Sequence, residues 1–108
     1  MSAVTTHVLD TVEGGPAAGV TVVLEHLDGS RLAAGVTDAD GRLTDLGPAR
    51  LEPDSYRLRF DTAAYFAAKQ VSTFYPEVAV TFAIVDPDQH HHVPLLLSPF
   101  GYSTYRGS

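Results

Sequence analysis

The 108-residue chain contains no cysteine. That absence removes disulfides, thiolate nucleophiles and thiolate metal sites, and it fits a reducing compartment. Basic side chains are also scarce, with seven Lys and Arg against thirteen Asp and Glu and a net charge of −6. No local cluster of Lys and Arg offsets this balance, so a phosphate-backbone partner is disfavoured and no nucleic acid is expected. Long apolar runs are missing too. The stretch from Val93 to Leu97 is interrupted by Pro94, and it falls far short of the roughly 20 residues that cross a bilayer. The first residues, Met1-Ser2-Ala3-Val4-Thr5-Thr6, carry neither a basic segment nor a long apolar one. No membrane anchor is expected, and a cytoplasmic protein is. With 44% hydrophobic and 19% charged residues, the composition is that of a folded chain, and the length fits a single domain over residues 1–108.

What is present is period-two alternation punctuated by turns. Thr5 to Thr11, Val20 to Leu27 and Arg31 to Thr37 read as strands, separated by Glu13-Gly14-Gly15-Pro16 and Asp28-Gly29. Asp40-Gly41 reads as a tight hairpin turn, because glycine tolerates the positive φ such turns need, and Arg42 begins the short strand after it. Ser55 to Phe60 places Tyr56, Leu58 and Phe60 on one face and Arg57 and Arg59 on the other. Val78 to Val85 repeats that pattern, and His90 to Leu97 and Tyr102 to Arg106 close the chain. Between them, Thr62 to Gln70 is an alanine-rich helix capped by Asp61 or Thr62 and docked through Tyr65 or Phe66. The expected fold class is all-β, an antiparallel β-sandwich of seven to eight strands with one short helix.

Five histidines carry the chemistry available to this chain. In an extended strand His90 and His92 share one face, while His91, Val93 and Leu95 share the other. If Val93 and Leu95 are core, His90 and His92 point outward, and His7 occupies a similar strand. Such imidazoles can act as acid and base, bind a metal or simply be solvated. His-x-His with a distant histidine is one way of holding zinc, but no carboxylate spacing supports it here. Asp38-Ala39-Asp40-Gly41 has its glycine too early for a calcium loop. Gly101-Tyr102-Ser103 lacks the second glycine of a nucleophile elbow. Chain ends are usually frayed and polar, yet Pro99 to Ser108 is rich in aromatic residues almost to its end. It is therefore expected to be ordered, with Gly107-Ser108 placing a hydroxyl, an N–H and a carboxylate together.

At these residues the chain resembles the 5-hydroxyisourate hydrolases, the transthyretin-like enzymes of purine catabolism. Three segments carry the resemblance: Thr6-His7-Val8-Leu9-Asp10, Asp40-Gly41-Arg42, and His90 to Ser98 running into Tyr105-Arg106-Gly107-Ser108. The terminal Tyr-Arg-Gly-Ser is the most specific of them. The resemblance implies a transthyretin-like sandwich, a homotetramer with active sites at its dimer–dimer interface, and hydrolysis of 5-hydroxyisourate without metal or other cofactor. It assigns His7, Arg42, His92 and Ser108 to catalysis, and His7, Arg42, Tyr105 and His90 to substrate contact. One departure stands out: His91 occupies a position where the family more often has tyrosine, and its inward direction should leave the chemistry intact.

Two other readings compete. Transthyretins use the same interface to bind hormone-like ligands without catalysis, but lack the histidine, arginine and Tyr-Arg-Gly-Ser set. Prealbumin-like structural modules match Gly19 to Val22, Thr37 to Gly41 and Tyr56 to Leu58, and leave the C-terminal third unexplained. On this reading the C-terminal segment is half of a site, completed by His7 and Arg42 and by a neighbouring subunit.

Overall fold

A computed structural model describes residues 2–108, which form two sheets and one helix. The strands are β1 (Val4–Asp10), β2 (Gly15–Pro16), β3 (Thr21–His26), β4 (Arg31–Val36), β5 (Arg42–Leu43), β6 (Asp54–Phe60), β7 (Val78–Ile84), β8 (His91–Ser98) and β9 (Gly101–Thr104). Helix α1 spans Thr62–Ala68. One sheet has the order β2-β1-β8-β9, with β5 also paired to β1, and the other has the order β4-β3-β6-β7. Nine strands are described against the seven or eight expected: β5 is the short strand expected to begin at Arg42, and the two-residue β2 is the addition.

Alternation decides which side chains fill the space between the sheets. Val4, Val8, Val93, Leu95 and Leu97 face inward from the first sheet; Val22, Leu24, Tyr56, Leu58, Phe60, Val78 and Ile84 face them from the second. Each fully buried Val, Leu or Phe contributes about 1.5–3 kcal/mol, so this layer dominates stability. Outside the second sheet, Arg57 and Arg59 close over Glu25, which is 2% exposed, with nitrogen–oxygen distances of 2.5 and 2.7 Å.

Helix α1 starts where expected, with Asp61 accepting a hydrogen bond from the Ala64 amide at 3.1 Å. It ends earlier than Gln70, which adopts φ = 58° and so leaves the helix. Both Tyr65 and Phe66 are buried. The Tyr65 hydroxyl donates to Asp10 at 2.7 Å, and the same carboxylate accepts the Val12 and Glu13 amides, tying the helix to the turn after β1.

Two features of the topology differ from local expectation. The Asp40-Gly41 turn is no hairpin: β4 belongs to the second sheet and β5 to the first, so this turn carries the chain between sheets. Gly41 has the positive φ expected, 73°, and a Cβ there would lie 2.4 Å from the Val8 carbonyl oxygen. Its requirement for glycine is thus both conformational and steric. The second feature is β1, which runs parallel to β8, although every other pairing is antiparallel. The long connection between these strands makes that parallel contact possible.

Candidate functional site

The outer face of the first sheet collects the polar side chains that alternation excludes from the core. On β1, Thr5 and His7 face outward; on β8, His92 does, flanked by inward His91 and Val93. Parallel pairing sets Thr5 beside His92 and His7 beside Pro94. Antiparallel pairing on the other side of β1 sets Arg42 beside His7. Residues from three strands therefore meet on one surface.

The C-terminal tail completes it. β9 pairs Leu95 with Thr104, and the same register returns at His92 and Gly107 after a two-residue gap. The gap lies opposite Pro94, which has no N–H to give the ladder. There the Thr104 hydroxyl donates to the Pro94 carbonyl at 2.7 Å, and Arg106 reaches Gln89 at 3.1 Å. Strand β9 accordingly ends at Thr104, short of Arg106. The Gly107 amide donates to the His92 carbonyl at 2.8 Å. A Cβ on Gly107 would lie 2.5 Å from the His92 ring, so the tail crosses directly against that imidazole.

Thr5, Thr6, Arg42, Thr44, His90, His92 and Ser108 line a groove of about 170 Å³. His90 precedes β8, and its ring stacks near that of His92, with centroids 6.4 Å apart. Both rings converge on Thr5: its Oγ1 lies 2.9 Å from His90 Nε2 and 2.8 Å from His92 Nδ1. His7 Nε2 lies 2.9 Å from the Asp40 carbonyl oxygen. A carbonyl only accepts, so His7 carries its proton on Nε2.

Charge and burial act on His92 in one direction. Burial, followed by the nearby His90, Arg42 and His7, pushes its pKa below the ordinary histidine value of 6.5. His92 is therefore neutral at physiological pH, with a ring nitrogen available as a base. Arg42 is exposed at the groove and supplies a fixed positive charge.

Of the residues expected in the site, Arg42, His90, His92 and Ser108 share the groove, and His7 sits alongside through its pairing with Arg42. Tyr105 does not join them. It lines a neighbouring depression with Val80, Phe82, Val93, Arg106 and the inward His91, and His92 borders both this depression and the groove. His91 points inward as its parity requires, 5% exposed, and its Nδ1 has no hydrogen-bond partner among the described residues. The same residues offer no group of three His, Cys, Asp or Glu side chains arranged to hold a metal ion. Thr5 is the contact that sequence reasoning missed. Its parity with His7 was the available signal, because residues two apart in a strand share a face.

A model of the HIUase/Transthyretin family matches residues 4–107. The 5-hydroxyisourate hydrolase of Salmonella typhimurium is 49% identical over 106 residues, covering 94% of this chain and 78% of that protein. The mouse 5-hydroxyisourate hydrolase is 44% identical over 113 residues, covering 99% and 96%. Among solved structures, Klebsiella pneumoniae 5-hydroxyisourate hydrolase matches with a TM-score of 0.90 and 41% identity, covering 100% of this chain and 94% of that one. Sea bream transthyretin in complex with thyroxine matches with a TM-score of 0.85 and 33% identity, covering 97% and 94%.

Proposed function

Because the chain belongs to the HIUase/Transthyretin family, we propose that it hydrolyses 5-hydroxyisourate, opening a cyclic amide to give 2-oxo-4-hydroxy-4-carboxy-5-ureidoimidazoline. The observation that carries this reading is the convergence of a neutral His92, the Arg42 guanidinium and Ser108 on one groove. Its relatives at 44–49% identity bear the hydrolase name, while the thyroxine-binding transthyretin stands at 33%.

His92 acts as general base, taking a proton from water as that water attacks the ring carbonyl. His7 donates its Nε2–H to the Asp40 carbonyl, which fixes the ring and leaves Nδ1 as a hydrogen-bond acceptor; its role is to orient substrate beside Arg42. The guanidinium holds the planar, carbonyl-rich ring and, with the Ser108 hydroxyl, stabilises the oxyanion that develops. Tyr105 shares with His92 the depression beside the groove, and from there we assign it to substrate contact. Arg42, His90 and Ser108 are exposed along the groove, so water enters freely from the open side. A homotetramer that apposes two such faces would supply the missing wall, and we place the complete site at that interface.

The test is spectroscopic. Urate oxidase generates 5-hydroxyisourate in the cuvette, and loss of its ultraviolet band is followed with and without this protein. Catalysis appears as acceleration over spontaneous decay; an unchanged decay rate would overturn the assignment.

A further inference from the structure

We propose that the Thr5 hydroxyl is a positioning and proton-conducting link: it holds His92 as the Nδ1–H tautomer and couples it to His90, which exchanges protons with solvent. This inference rests on the hydrolase reading and deepens it.

The geometry is specific. Thr5 is 3% exposed, and its Oγ1 contacts two imidazole nitrogens, at 2.8 and 2.9 Å. A hydroxyl has one proton to donate, so it cannot donate to both. In one arrangement Thr5 accepts from His92 Nδ1–H and donates to His90 Nε2. His92 then presents the bare lone pair of its Nε2. In the reverse arrangement His92 carries its proton on Nε2 and cannot serve as a base. Arg42 lines the same groove, and its positive charge is better faced by a lone pair than by an N–H dipole. That favours the first arrangement. His92 Nε2 has no hydrogen-bond partner among the described residues, and His90 is exposed.

The proton count closes over one turnover. As water attacks, its proton goes to His92 Nε2, the Nδ1 proton passes to Thr5 Oγ1, and the Thr5 proton passes to His90 Nε2. His90 releases its Nδ1 proton to bulk water. Run backwards, the same path brings one proton in through His90 and delivers one from His92 Nε2 to the departing ring nitrogen. His92 is neutral at both ends of the cycle, as its buried, cation-flanked setting requires. The groups facing it are Thr5 and His7 from β1, Arg42 from β5, His90, and the Gly107-Ser108 tail.

Three variants and one spectrum test the assignment. Thr5→Val keeps the shape and removes the hydroxyl; kcat should fall by roughly 10- to 100-fold, with KM nearly constant and a displaced acid limb in the pH profile. Thr5→Ser restores the hydroxyl and should recover most of that loss. His90→Gln can still hydrogen-bond to Thr5 but cannot relay a proton, so kcat should fall and added imidazole should rescue it, which a packing defect would not allow. Nitrogen-15 NMR of the His92 ring should report Nδ1–H in the native protein and lose that preference in Thr5→Val. A valine variant with native kcat and pH profile, or a native His92 protonated on Nε2, would overturn the proposal. Native protein that fails to accelerate 5-hydroxyisourate decay removes the hydrolase and the conduit, and the NMR tautomer then decides the positioning role of Thr5 by itself.

Discussion

Replacing Gly107 by alanine should separate activity from stability. In the native chain the Gly107 amide donates to the His92 carbonyl at 2.8 Å, and nothing lies between the glycine and the imidazole. An added Cβ would stand 2.5 Å from His92 Cδ2 and 3.2 Å from both His92 Cγ and Pro94 Cγ. Carbon atoms rest about 3.5–4.0 Å apart, so roughly 1 Å of movement is required. Either the imidazole turns, stretching its 2.8 Å contact with Thr5, or the tail lifts and takes Ser108 with it. A displacement of about 1 Å in a catalytic array costs on the order of 100-fold in rate, or about 2.7 kcal/mol of barrier. The stability cost is smaller, because the bridge is an isolated one outside the strands and one lost backbone hydrogen bond is worth about 1 kcal/mol. For a domain of this size that is a Tm change of about 4 °C. The assay is kcat/KM on freshly generated 5-hydroxyisourate alongside a thermal melt, at matched oligomeric state. An alanine variant within roughly threefold of native activity would refute the steric argument, since the barrier would then have moved by less than about 0.7 kcal/mol.

Two further substitutions probe charge. His92→Asn should lower kcat by about 10²–10⁴-fold, the usual contribution of a positioned base. Because the folded His92 pKa lies below 6.5, the unfolded chain binds more protons between those two values, and native stability falls as pH drops below 6.5. The asparagine variant lacks that loss, so denaturant melts between about pH 7 and pH 5 should show the stability difference moving in its favour on acidification. Asp10→Asn tests the helix tie. Burial raises the Asp10 pKa, but hydrogen bonds from the Glu13 amide, the Tyr65 hydroxyl and the Val12 amide outweigh it and hold the carboxyl below 3.8. Its contribution is therefore complete above pH 3.8 and lost as pH falls through the folded value. The variant should lose about 2 kcal/mol at neutral pH, and the deficit should close only in acid. A deficit that persists unchanged at low pH would contradict the carboxylate's role.

Much of this site is written in local sequence. Period-two alternation is a covalent property of extended backbone, so the parity of His90, His91 and His92 could be read without a structure: two outward, one buried. The same parity placed Arg57 and Arg59 on the outer face and Leu58 in the core, and the Asp61 cap followed from residue chemistry alone. Neighbour relations between strands carry no such local signal. Thr5 and His92 are 87 positions apart and touch because β1 lies parallel to β8, a pairing selected by how both sheets bury their apolar faces. Asp40-Gly41 has every local mark of a hairpin, yet it crosses between sheets because Leu43 is buried from the first sheet and Val36 lies exposed on the second. An ordered tail was expected from its aromatic residues, but that Gly107 lies against the His92 ring was decided only by folding. Sequence thus determined which side chains face out and which chemistry they offer. Tertiary structure decided which of them meet, because distances across a sandwich are set by the burial of the whole core and not by any one segment.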